Sequence, residues 1–431
     1  MRGAMTEYKE LEKSLAAIIG EGADQVPGLG VILYKNGQPV YRFCGGRSYI
    51  GGTTGTADRP FRQDSLFRIA SVSKQFTVYT IMQLAEQGRL SLSDDVSRYL
   101  GFSLRHPDYP DRPITIEMLC SHTSGLRDGI IYCIPPEFSV REFFSPEGKF
   151  YEDGAHFAPS DEMPGEYFSY CNLNYGLLGT VIEAVTGERF DLYQQEHILA
   201  QLDIDGGYLP ANLTSDAFTR LGGIYQKPAA GADWSPMMDC YDGRQPARDT
   251  VTMQNPYAEQ DDPREYSLRD YVPGTNATFF APQGGLRLSL VGMSHVLEML
   301  MGGGLYRGRR VLSPASVENM TAKHWSYRQY GRGNGDTEDG VFQIYGLGLY
   351  QIDGRSRARA CRDKAVDLVG HTGEAFGLLS GLFFRPETGD GFAYIMNGEG
   401  LPEEAPESKG RFSGNFIWEE RIMDALCLAM T

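Results

Sequence analysis

Ser71 and Lys74 stand three positions apart in the stretch LFRIASVSKQFTVYTIMQLAEQGRL, which covers residues 66–90. Side chains at i and i+3 share one face of a helix, so the hydroxyl and the amine would point the same way. A serine hydroxyl becomes a useful nucleophile when a neighbouring base accepts its proton, and a lysine amine can be that base if burial lowers its pKa. The apolar residues that follow the pair would bury it. The pair therefore predicts metal-independent acyl chemistry.

The pair falls where a helix is predicted to begin. A helix N-terminus offers backbone N–H groups and a partial positive charge, which suit a developing oxyanion. The same letters have a second interpretation, in which Ser71 is an N-cap and Lys74 extends from the first turn to solvent. Because Ser-x-x-Lys is short enough to arise by chance, other residues must decide between the two.

Tyr170 and Asn172 lie at i and i+2 in FSYCNLNY, where a second helix is predicted to begin. Both side chains can face a cleft from that position. The phenol of Tyr170, if it is close to Lys74, could act as a base or exchange protons with the amine, and Asn172 could hold the amine and a substrate carbonyl. Cys171 between them is interpreted as a small buried residue.

The segment VGHTGEAFG, residues 369–377, offers a strand edge to such a site. Gly373 would let the backbone approach a ligand, and the N–H of Glu374 could donate to an oxyanion. His371 and Thr372 are the other candidate substrate contacts on this strand. A histidine in this setting is also typical of a half-buried strand residue with no role in chemistry.

The elements that must position these residues follow a simple order, with strands at both ends of the chain and helices in the middle. Strands are predicted as a hairpin around an Asn-Gly turn in residues 29–45, and over 345–353, 367–373 and 378–397. Helices are predicted at the N-terminus and over residues 71–87, 114–126, 170–187, 286–304 and 416–430. Long ordered loops are predicted over residues 204–280, which are rich in Gly, Pro, Asp and aromatic residues such as Tyr257.

This order predicts an α+β fold. The two ends would pair in one antiparallel sheet flanked by helices, with a helical domain inserted between them. We expect residues 1–80 and 288–431 to form the sheet domain, and residues 81–287 to form a mostly helical domain with long aromatic loops. Those loops are the expected walls of a substrate pocket.

The composition excludes several classes of partner. A net charge of −16 over 431 residues would repel nucleic acid and anionic lipid. The sequence has no apolar run long enough for a membrane helix, and the charged N-terminus lacks the apolar core of a signal peptide, so we expect a cytoplasmic protein. The seven cysteines contain no CxxC and are expected to be free thiols, and the cysteine and histidine spacings predict no metal site.

The chain resembles the serine β-lactamase-related family, which includes class C β-lactamases, DD-carboxypeptidases, D-aminopeptidases and related esterases. Eight segments carry the resemblance in family order: FRIASVSKQFT, GRLSLSDDVSRYL, ITIEMLCSHTSGL, MPGEYFSYCNLNYGLLGTVIEAVTG, APQGGLRLSL, GGGLYRGRRVLSPASVENM, YGLGLY and VGHTGEAFGLLSGLFFRPETGDGFAYIMN. The resemblance implies the β-lactamase/transpeptidase-like fold, an antiparallel sheet flanked by helices plus an all-helical domain. It implies no cofactor.

The resemblance also implies roles for the residues named above. Ser71 would be the nucleophile, Lys74 its activating partner, and Tyr170 the base and proton shuttle. Asn172 would contact Lys74 and substrate. The N–H groups of Ser71 and Glu374 would form the oxyanion hole.

The third motif departs from the β-lactamase pattern, which has a lysine where this chain has His371. The change removes a fixed positive charge at the place where a substrate carboxylate would dock, since a histidine near its free pKa is mostly neutral at pH 7. Recognition of β-lactams or peptide C-termini is therefore not implied. His371 and the neighbouring Gly373 would lie beside the scissile bond, as in the esterases and aminopeptidases of the family.

The expected function is that of a serine hydrolase acting through an acyl-enzyme on a small ester, amide or short peptide. Acyl transfer to an alcohol or amine stays open, because its first half-reaction is the same. A non-catalytic scaffold is the alternative from another class. The substrate and the oligomeric state are not set by the sequence.

Overall fold

The computed structural model describes residues 2–51, 56–254, 262–329, 331, 333–402 and 404–431. The α-helices in these ranges are α1 Arg2–Ala16, α2 Lys74–Glu86, α3 Ser97–Leu100, α4 Ile116–Cys120, α5 Leu173–Thr186, α6 Phe190–Gln194, α7 Ser215–Thr219, α8 Leu290–Met301, α9 Pro314–Thr321 and α10 Ile417–Met430. The strands are β1 Gly28–Lys35, β2 Gln38–Tyr49, β3 Arg59–Pro60, β4 Leu66–Arg68, β5 Ile224–Gln226, β6 Ser235–Met238, β7 Thr250–Gln254, β8 Pro263–Ser267, β9 Arg287–Ser289, β10 Leu305–Tyr306, β11 Arg309–Arg310, β12 Trp325–Ser326, β13 Ile344–Tyr345, β14 Tyr350–Ile352, β15 Leu368–Ala375, β16 Leu378–Arg385, β17 Asp390–Met396 and β18 Gly398–Glu399.

The main sheet has nine strands in the order β12-β13-β14-β15-β16-β17-β1-β2-β3. Neighbouring strands run antiparallel, and the N-terminal hairpin joins the C-terminal strands through β1 and β17, where Leu29 pairs with Met396. Asn36 and Gly37 at the hairpin turn have φ angles of 51° and 72°, the left-handed pair that a type I′ turn requires. The pairing of the two chain ends in one antiparallel sheet is confirmed.

Side chains of β1 alternate between two apolar cores. Leu29, Val31 and Leu33 belong to a cluster on the face covered by α1 and α10, whereas Ile32 and Tyr34 belong to the cluster shared with α8 and the middle of the chain. Because successive strand residues point to opposite faces, this central strand is buried on both sides. Helices therefore flank the sheet, which confirms the α+β fold.

Two buried helices bring the candidate residues together. α2 is buried from Lys74 to Leu84 and packs against α5. α5 begins after Asn172 and ends at Gly187, whose φ of 79° forms the predicted C-terminal stop. A hydrogen bond between Lys74 and Asn172 places the N-terminal ends of both helices at one point.

Two predictions about local structure are corrected. The part of residues 204–280 that the structure describes is not only loop, because it contains α7 and the strands β5 to β8; Tyr257 lies outside the described residues. The predicted helix over residues 286–304 begins later, at Leu290. Ser289 ends β9 and caps α8 by accepting a hydrogen bond from the N–H of Gly292.

The division into a sheet domain, residues 1–80 and 288–431, and a helical domain, residues 81–287, stays a prediction. None of the described helices has the length and apolar character needed to cross a membrane.

Candidate active site

Ser71 lies in a turn between a strand and a helix. The 3₁₀ turn Ala70–Ser73 follows β4 and leads directly into α2. Ala70 has a φ of 45°, in the left-handed region, where an alanine is strained by roughly 1 kcal/mol or more. The N–H of Ile69 donates to the Leu286 carbonyl at 2.9 Å and fixes the backbone before the turn. The turn presents the Ser71 side chain at the start of a buried helix.

Lys74 reaches the serine directly. Its Nζ lies 3.0 Å from Oγ of Ser71, 2.8 Å from Oδ1 of Asn172 and 3.2 Å from the Gln283 carbonyl oxygen. The Asn172 and Gln283 oxygens can only accept hydrogen bonds. A neutral amine would use its two N–H groups for these oxygens, and its lone pair would then face the serine hydroxyl. The partners therefore suit an amine that accepts the serine proton.

Burial sets the charge of Lys74. The residue is fully buried, and desolvation lowers its pKa from 10.5 to about 7. The carboxylates of Asp128 and Glu338 act in the opposite direction and raise this pKa. No carboxylate in the described ranges forms an ion pair with Lys74. A large fraction of the amine is therefore uncharged at neutral pH.

Tyr170 packs against the same amine. Nζ of Lys74 lies 4.6 Å from the centroid of its ring, and its phenol interacts with the Ser71 hydroxyl. Phe342 stacks on the ring at 5.1 Å between centroids, and His122 stacks at 4.4 Å, so the ring is held in place. Burial raises the pKa of Tyr170 well above its ordinary value, which makes it a protonated phenol. Such a group can pass a proton on but does not start as a phenolate.

Asn172 is oriented by a carboxylate. Its Nδ2 donates to Oδ2 of Asp128 at 2.9 Å, and its Oδ1 is left facing Lys74. The other oxygen of Asp128 accepts from the N–H of Leu173 at 2.8 Å and from Sγ of Cys171 at 3.4 Å. A negative charge at the start of α5 is favourable. Burial raises the pKa of Cys171, so the thiol stays protonated between the two polar residues.

The strand β15 passes next to Ser71. A Cβ on Gly373 would lie 2.5 Å from the Ile69 carbonyl oxygen and 3.0 Å from the Ser71 nitrogen, which leaves room only for glycine. β14 pairs with β15 as far as Gly370, and the edge beyond it, which includes Glu374, faces the serine turn. The two N–H groups of the predicted oxyanion hole, those of Ser71 and Glu374, thus lie on segments in close contact.

His371 is buried, and both of its ring nitrogens face protein groups. Nδ1 faces the Thr372 carbonyl, which can only accept, so Nδ1 carries the proton and Nε2 accepts from the Tyr345 hydroxyl at 3.0 Å. Burial and then the charge of Lys74 lower the pKa of His371 to about 3, so the ring is neutral. Thr372 lies 3.2 Å from the Tyr350 hydroxyl through its Oγ1. Substrate contacts by His371 and Thr372 stay predictions.

Sequence reasoning missed Asp128 and the aromatic residues Phe342 and Tyr345. Asp128 follows the turn segment SHTSGLR, and a carboxylate directly after these polar residues was the available signal. His122 of that turn does lie against Tyr170. Phe342 comes from a distant part of the chain and carries no local signal. Tyr345 begins the segment YGLGLY, but nothing local in that segment indicates a contact with His371.

The chain is similar to known proteins over most of its length. The model of the Beta-lactamase family matches residues 15–411. Protein flp of Staphylococcus aureus (strain MW2) is 30% identical over 182 residues, which are 42% of this chain and 34% of that protein. Esterase EstB of Burkholderia gladioli is 31% identical over 191 residues, which are 41% of this chain and 46% of the esterase. The matches thus span about a third to a half of these relatives.

A solved structure is similar over the full length. EstCE1, a hydrolase with promiscuous acyltransferase activity, aligns with a TM-score of 0.61 at 20% sequence identity, covering 99% of this chain and 100% of that one. At this identity the similarity shows the fold.

Proposed function

Because the chain belongs to the Beta-lactamase family, we propose that it is a serine hydrolase that forms an acyl-enzyme on small esters or amides. The observation that carries the proposal is the 3.0 Å contact between Nζ of Lys74 and Oγ of Ser71. An N-cap serine with a solvent-directed lysine, the other interpretation of the motif, does not fit a lysine that is fully buried and hydrogen-bonded to the serine.

Acylation begins when Oγ of Ser71 attacks the substrate carbonyl carbon. The Lys74 amine accepts the hydroxyl proton as the new C–O bond forms, and the carbonyl oxygen becomes an oxyanion. The N–H groups of Ser71 and Glu374 would donate to that oxygen. Donors fixed in this way stabilise the charge as it develops, without reorganising solvent.

Collapse of the tetrahedral intermediate breaks the bond to the leaving group. The leaving oxygen or nitrogen needs a proton, and Lys74 now carries one. Tyr170 is a protonated phenol that would lie between Lys74 and the leaving group. It can therefore give its proton to the leaving group and take the lysine proton in exchange. We assign Tyr170 this relay role, and we assign the role of first base to Lys74.

Deacylation uses the same groups in reverse. A water molecule attacks the ester carbonyl of the acyl-enzyme. Lys74 and Tyr170 together act as the general base and accept its proton. The oxyanion is again held by backbone N–H groups. The bond between the carbonyl carbon and Oγ of Ser71 then breaks, and Oγ takes back a proton from Lys74 and Tyr170. The acid product is released, and the resting enzyme is restored.

The proposed substrates are small esters, amides or short peptides. The activity would be that of an esterase, a D-aminopeptidase or a carboxypeptidase. Neutral His371 offers no fixed positive charge on β15. The similarity to Esterase EstB supports esters as the first substrates to test.

Acyl transfer is a second candidate function. The similarity in fold to EstCE1, a hydrolase with promiscuous acyltransferase activity, supports it. In that reaction a bound alcohol or amine replaces water in the second half-reaction. Product analysis with one p-nitrophenyl ester and a panel of alcohols and amines separates the two functions, because transfer gives a new ester or amide in place of the free acid.

A fluorophosphonate probe tests the central proposal and its alternative, a non-catalytic scaffold. Intact mass spectrometry should show one adduct on the native protein and none on Ser71→Ala. Lys74→Ala should cut the labelling rate by several orders of magnitude, since the hydroxyl loses its proton acceptor. Lys149→Ala, at an exposed lysine, is the matched control and should label normally. Absence of an adduct on the native protein would leave only the scaffold.

A further inference from the structure

Arg68 ends β4 just before the nucleophile turn, and its guanidinium is half-buried. Its Nε donates to the Gly284 carbonyl at 2.7 Å, and its Cζ lies 5.2 Å from the centroid of the Phe376 ring. These contacts fix the plane of the guanidinium. Its two terminal nitrogens, Nη1 and Nη2, have no hydrogen-bond or ion-pair partner among the residues that the structure describes.

The neighbouring arginine shows what a compensated cation looks like in this fold. Arg287, which pairs with Arg68 across β4 and β9, donates to both oxygens of Asp239 at 3.0 and 2.9 Å. That carboxylate is therefore already engaged. Burial and then the charge of Arg287 lower the pKa of Arg68, and the charge of Asp239 opposes them only in part. A half-buried guanidinium without a partner is unfavourable, and a carboxylate is the partner that fits its fork of donors.

The guanidinium lines a pocket of about 120 Å³. Its walls are mostly apolar and aromatic and include Tyr208, Met238, Tyr241, Val251 and Phe279. Several of these residues belong to the aromatic segment predicted to form substrate walls. Arg287 also lines the pocket, but its charge is paired with Asp239, so Arg68 is the unpaired cation of the lining. Apolar walls with one unpaired fixed charge suit a short carbon chain that ends in an anion.

This pocket lies near the proposed chemistry. Gly284 accepts from Arg68, and the preceding Gln283 carbonyl accepts from Lys74. Because consecutive carbonyls are only a few ångströms apart, the guanidinium and the amine lie within about 10 Å of each other. A substrate bound at Ser71 can therefore reach the guanidinium with a short chain.

In the proposed reaction the pocket would lie on the acyl side of the scissile bond. Tyr170 is the proposed proton donor to the leaving group. Its ring centroid lies 6.0 Å from that of His371, which is at one end of the exposed edge of β15. Phe376, which packs on Arg68, follows the other end of that strand, beyond Glu374. Glu374, the proposed oxyanion donor of this strand, lies between these two ends, so the leaving group and the acyl group would extend in opposite directions.

We propose that Arg68 binds a carboxylate at the far end of the acyl group, so that the preferred substrates are monoesters or monoamides of short dicarboxylic acids. This inference rests on the proposed function. Nη1 and Nη2 would hold the two carboxylate oxygens as a fork, and the carbon chain would lie against the aromatic walls. The fixed charge that His371 does not provide on the leaving-group side is provided by Arg68 on the acyl side.

The test compares two esters that differ in one charge. The p-nitrophenyl monoester of glutaric acid carries a free carboxylate, and its methyl ester analogue does not. We expect the native enzyme to favour the free carboxylate at least tenfold in kcat/KM, and Arg68→Gln to reduce this ratio 10- to 100-fold. Arg98→Gln, whose side chain is 68% exposed, is the control and should leave the ratio unchanged. A ratio near one in the native enzyme, or an equal loss for both esters in Arg68→Gln, would overturn the inference.

Labelling separates this inference from the proposed function. Glutarate added as a competitor should slow fluorophosphonate labelling of the native protein and not of Arg68→Gln. If Arg68→Gln does not fold, Arg68→Lys, which keeps the charge and loses the fork, should lower the ester ratio in part. A native protein that does not label contradicts the proposed function. A protein that labels but shows no preference for the free carboxylate contradicts this inference alone.

Discussion

Asp128 and Asn172 are joined by a hydrogen bond of 2.9 Å from Nδ2 to Oδ2, and this bond decides what Asn172 offers to Lys74. Because the amide NH₂ is engaged by the carboxylate, only Oδ1 faces the amine, at 2.8 Å. An acceptor at this position engages an N–H of the amine and leaves the lone pair to the serine hydroxyl. In the proposed mechanism Asp128 is therefore a positioning residue, which would act on Ser71 through Asn172 and Lys74.

Replacing Asp128 by alanine should slow fluorophosphonate labelling by roughly 10- to 100-fold, because a hydrogen bond to a charged group contributes about 1.5–3 kcal/mol. The variant should also move the acid limb of the pH profile to lower pH, since the carboxylate raises the pKa of Lys74. Asp128→Asn, which keeps an oxygen acceptor and loses the charge, should show the same shift with a smaller loss of rate. The exposed Asp111→Asn is the control, and an acid limb that stays in place would contradict the coupling.

The rate of acylation should rise with pH through neutrality. Only the uncharged Lys74 amine accepts the serine proton, and its pKa is about 7. The uncharged fraction grows about tenfold per pH unit below that value, so kcat/KM should rise about tenfold from pH 5 to 6 and level off above about pH 8. An uncharged p-nitrophenyl ester is the substrate for this measurement. Lys74→Arg, which keeps its proton throughout, should be nearly inactive across the range; a native profile that is flat from pH 5 to 8 would contradict the assignment.

Gly373→Ala should disable the site without unfolding the protein. The new Cβ would lie 2.5 Å from the Ile69 carbonyl oxygen and 3.0 Å from the Ser71 nitrogen, so β15 and the serine turn must move apart. A displacement of the two proposed oxyanion donors should lower kcat by about 100-fold or more, the size of effect typical of a lost oxyanion donor. The matched control is Gly207→Ala, whose Cβ would meet its nearest atom at 3.4 Å. Equal activity in the two variants would show that the contact is not needed.

Short-range patterns were sufficient to predict much of the fold. The Asn-Gly turn between two β-rich runs predicts the hairpin β1–β2, and the glycine stop at Gly187 predicts the end of α5. Both signals depend on backbone conformation that only a few residue types adopt, so they act at a distance of a few residues. The site residues at the two helix starts could be predicted for the same reason, because a recognisable spacing joins Ser71 to Lys74 and Tyr170 to Asn172.

The supporting residues of the site could not be predicted in this way. Asp128 meets Asn172 across a separation of 44 residues, and Tyr345 meets His371 across 26. Such contacts follow from how α5, β13 and β15 pack together, and no local pattern specifies them. The strands β7 and β8 were missed because a segment rich in Gly, Pro and Asp favours loops, while cross-strand pairing overrides that preference.

A buried carboxyl group with no role in the proposed chemistry gives a separate test of the structure. Glu419 lies in α10, is almost fully buried, and accepts a hydrogen bond from the Tyr394 hydroxyl at 2.7 Å. Burial raises the pKa of Glu419 from 4.5 to about 8, so the group is protonated at neutral pH. The folded state thus binds more protons than the unfolded state between these two values. The stability that this group contributes is complete below pH 4.5 and is lost as the pH rises through about 8.

Glu419→Gln keeps the shape and hydrogen-bonding oxygen of the side chain and removes its ionisation. We expect the difference in free energy of unfolding, variant minus unsubstituted protein, to increase by about 1–3 kcal/mol between pH 5 and pH 9. The reason is that only the unsubstituted protein must bury a charge in its folded state at high pH. Urea unfolding at several pH values measures this difference. Glu407→Gln, at an exposed glutamate, should follow the native curve. If Glu419→Gln also follows the native curve, burial does not raise the pKa of Glu419 in the folded state, and the buried, protonated carboxyl group described above is wrong.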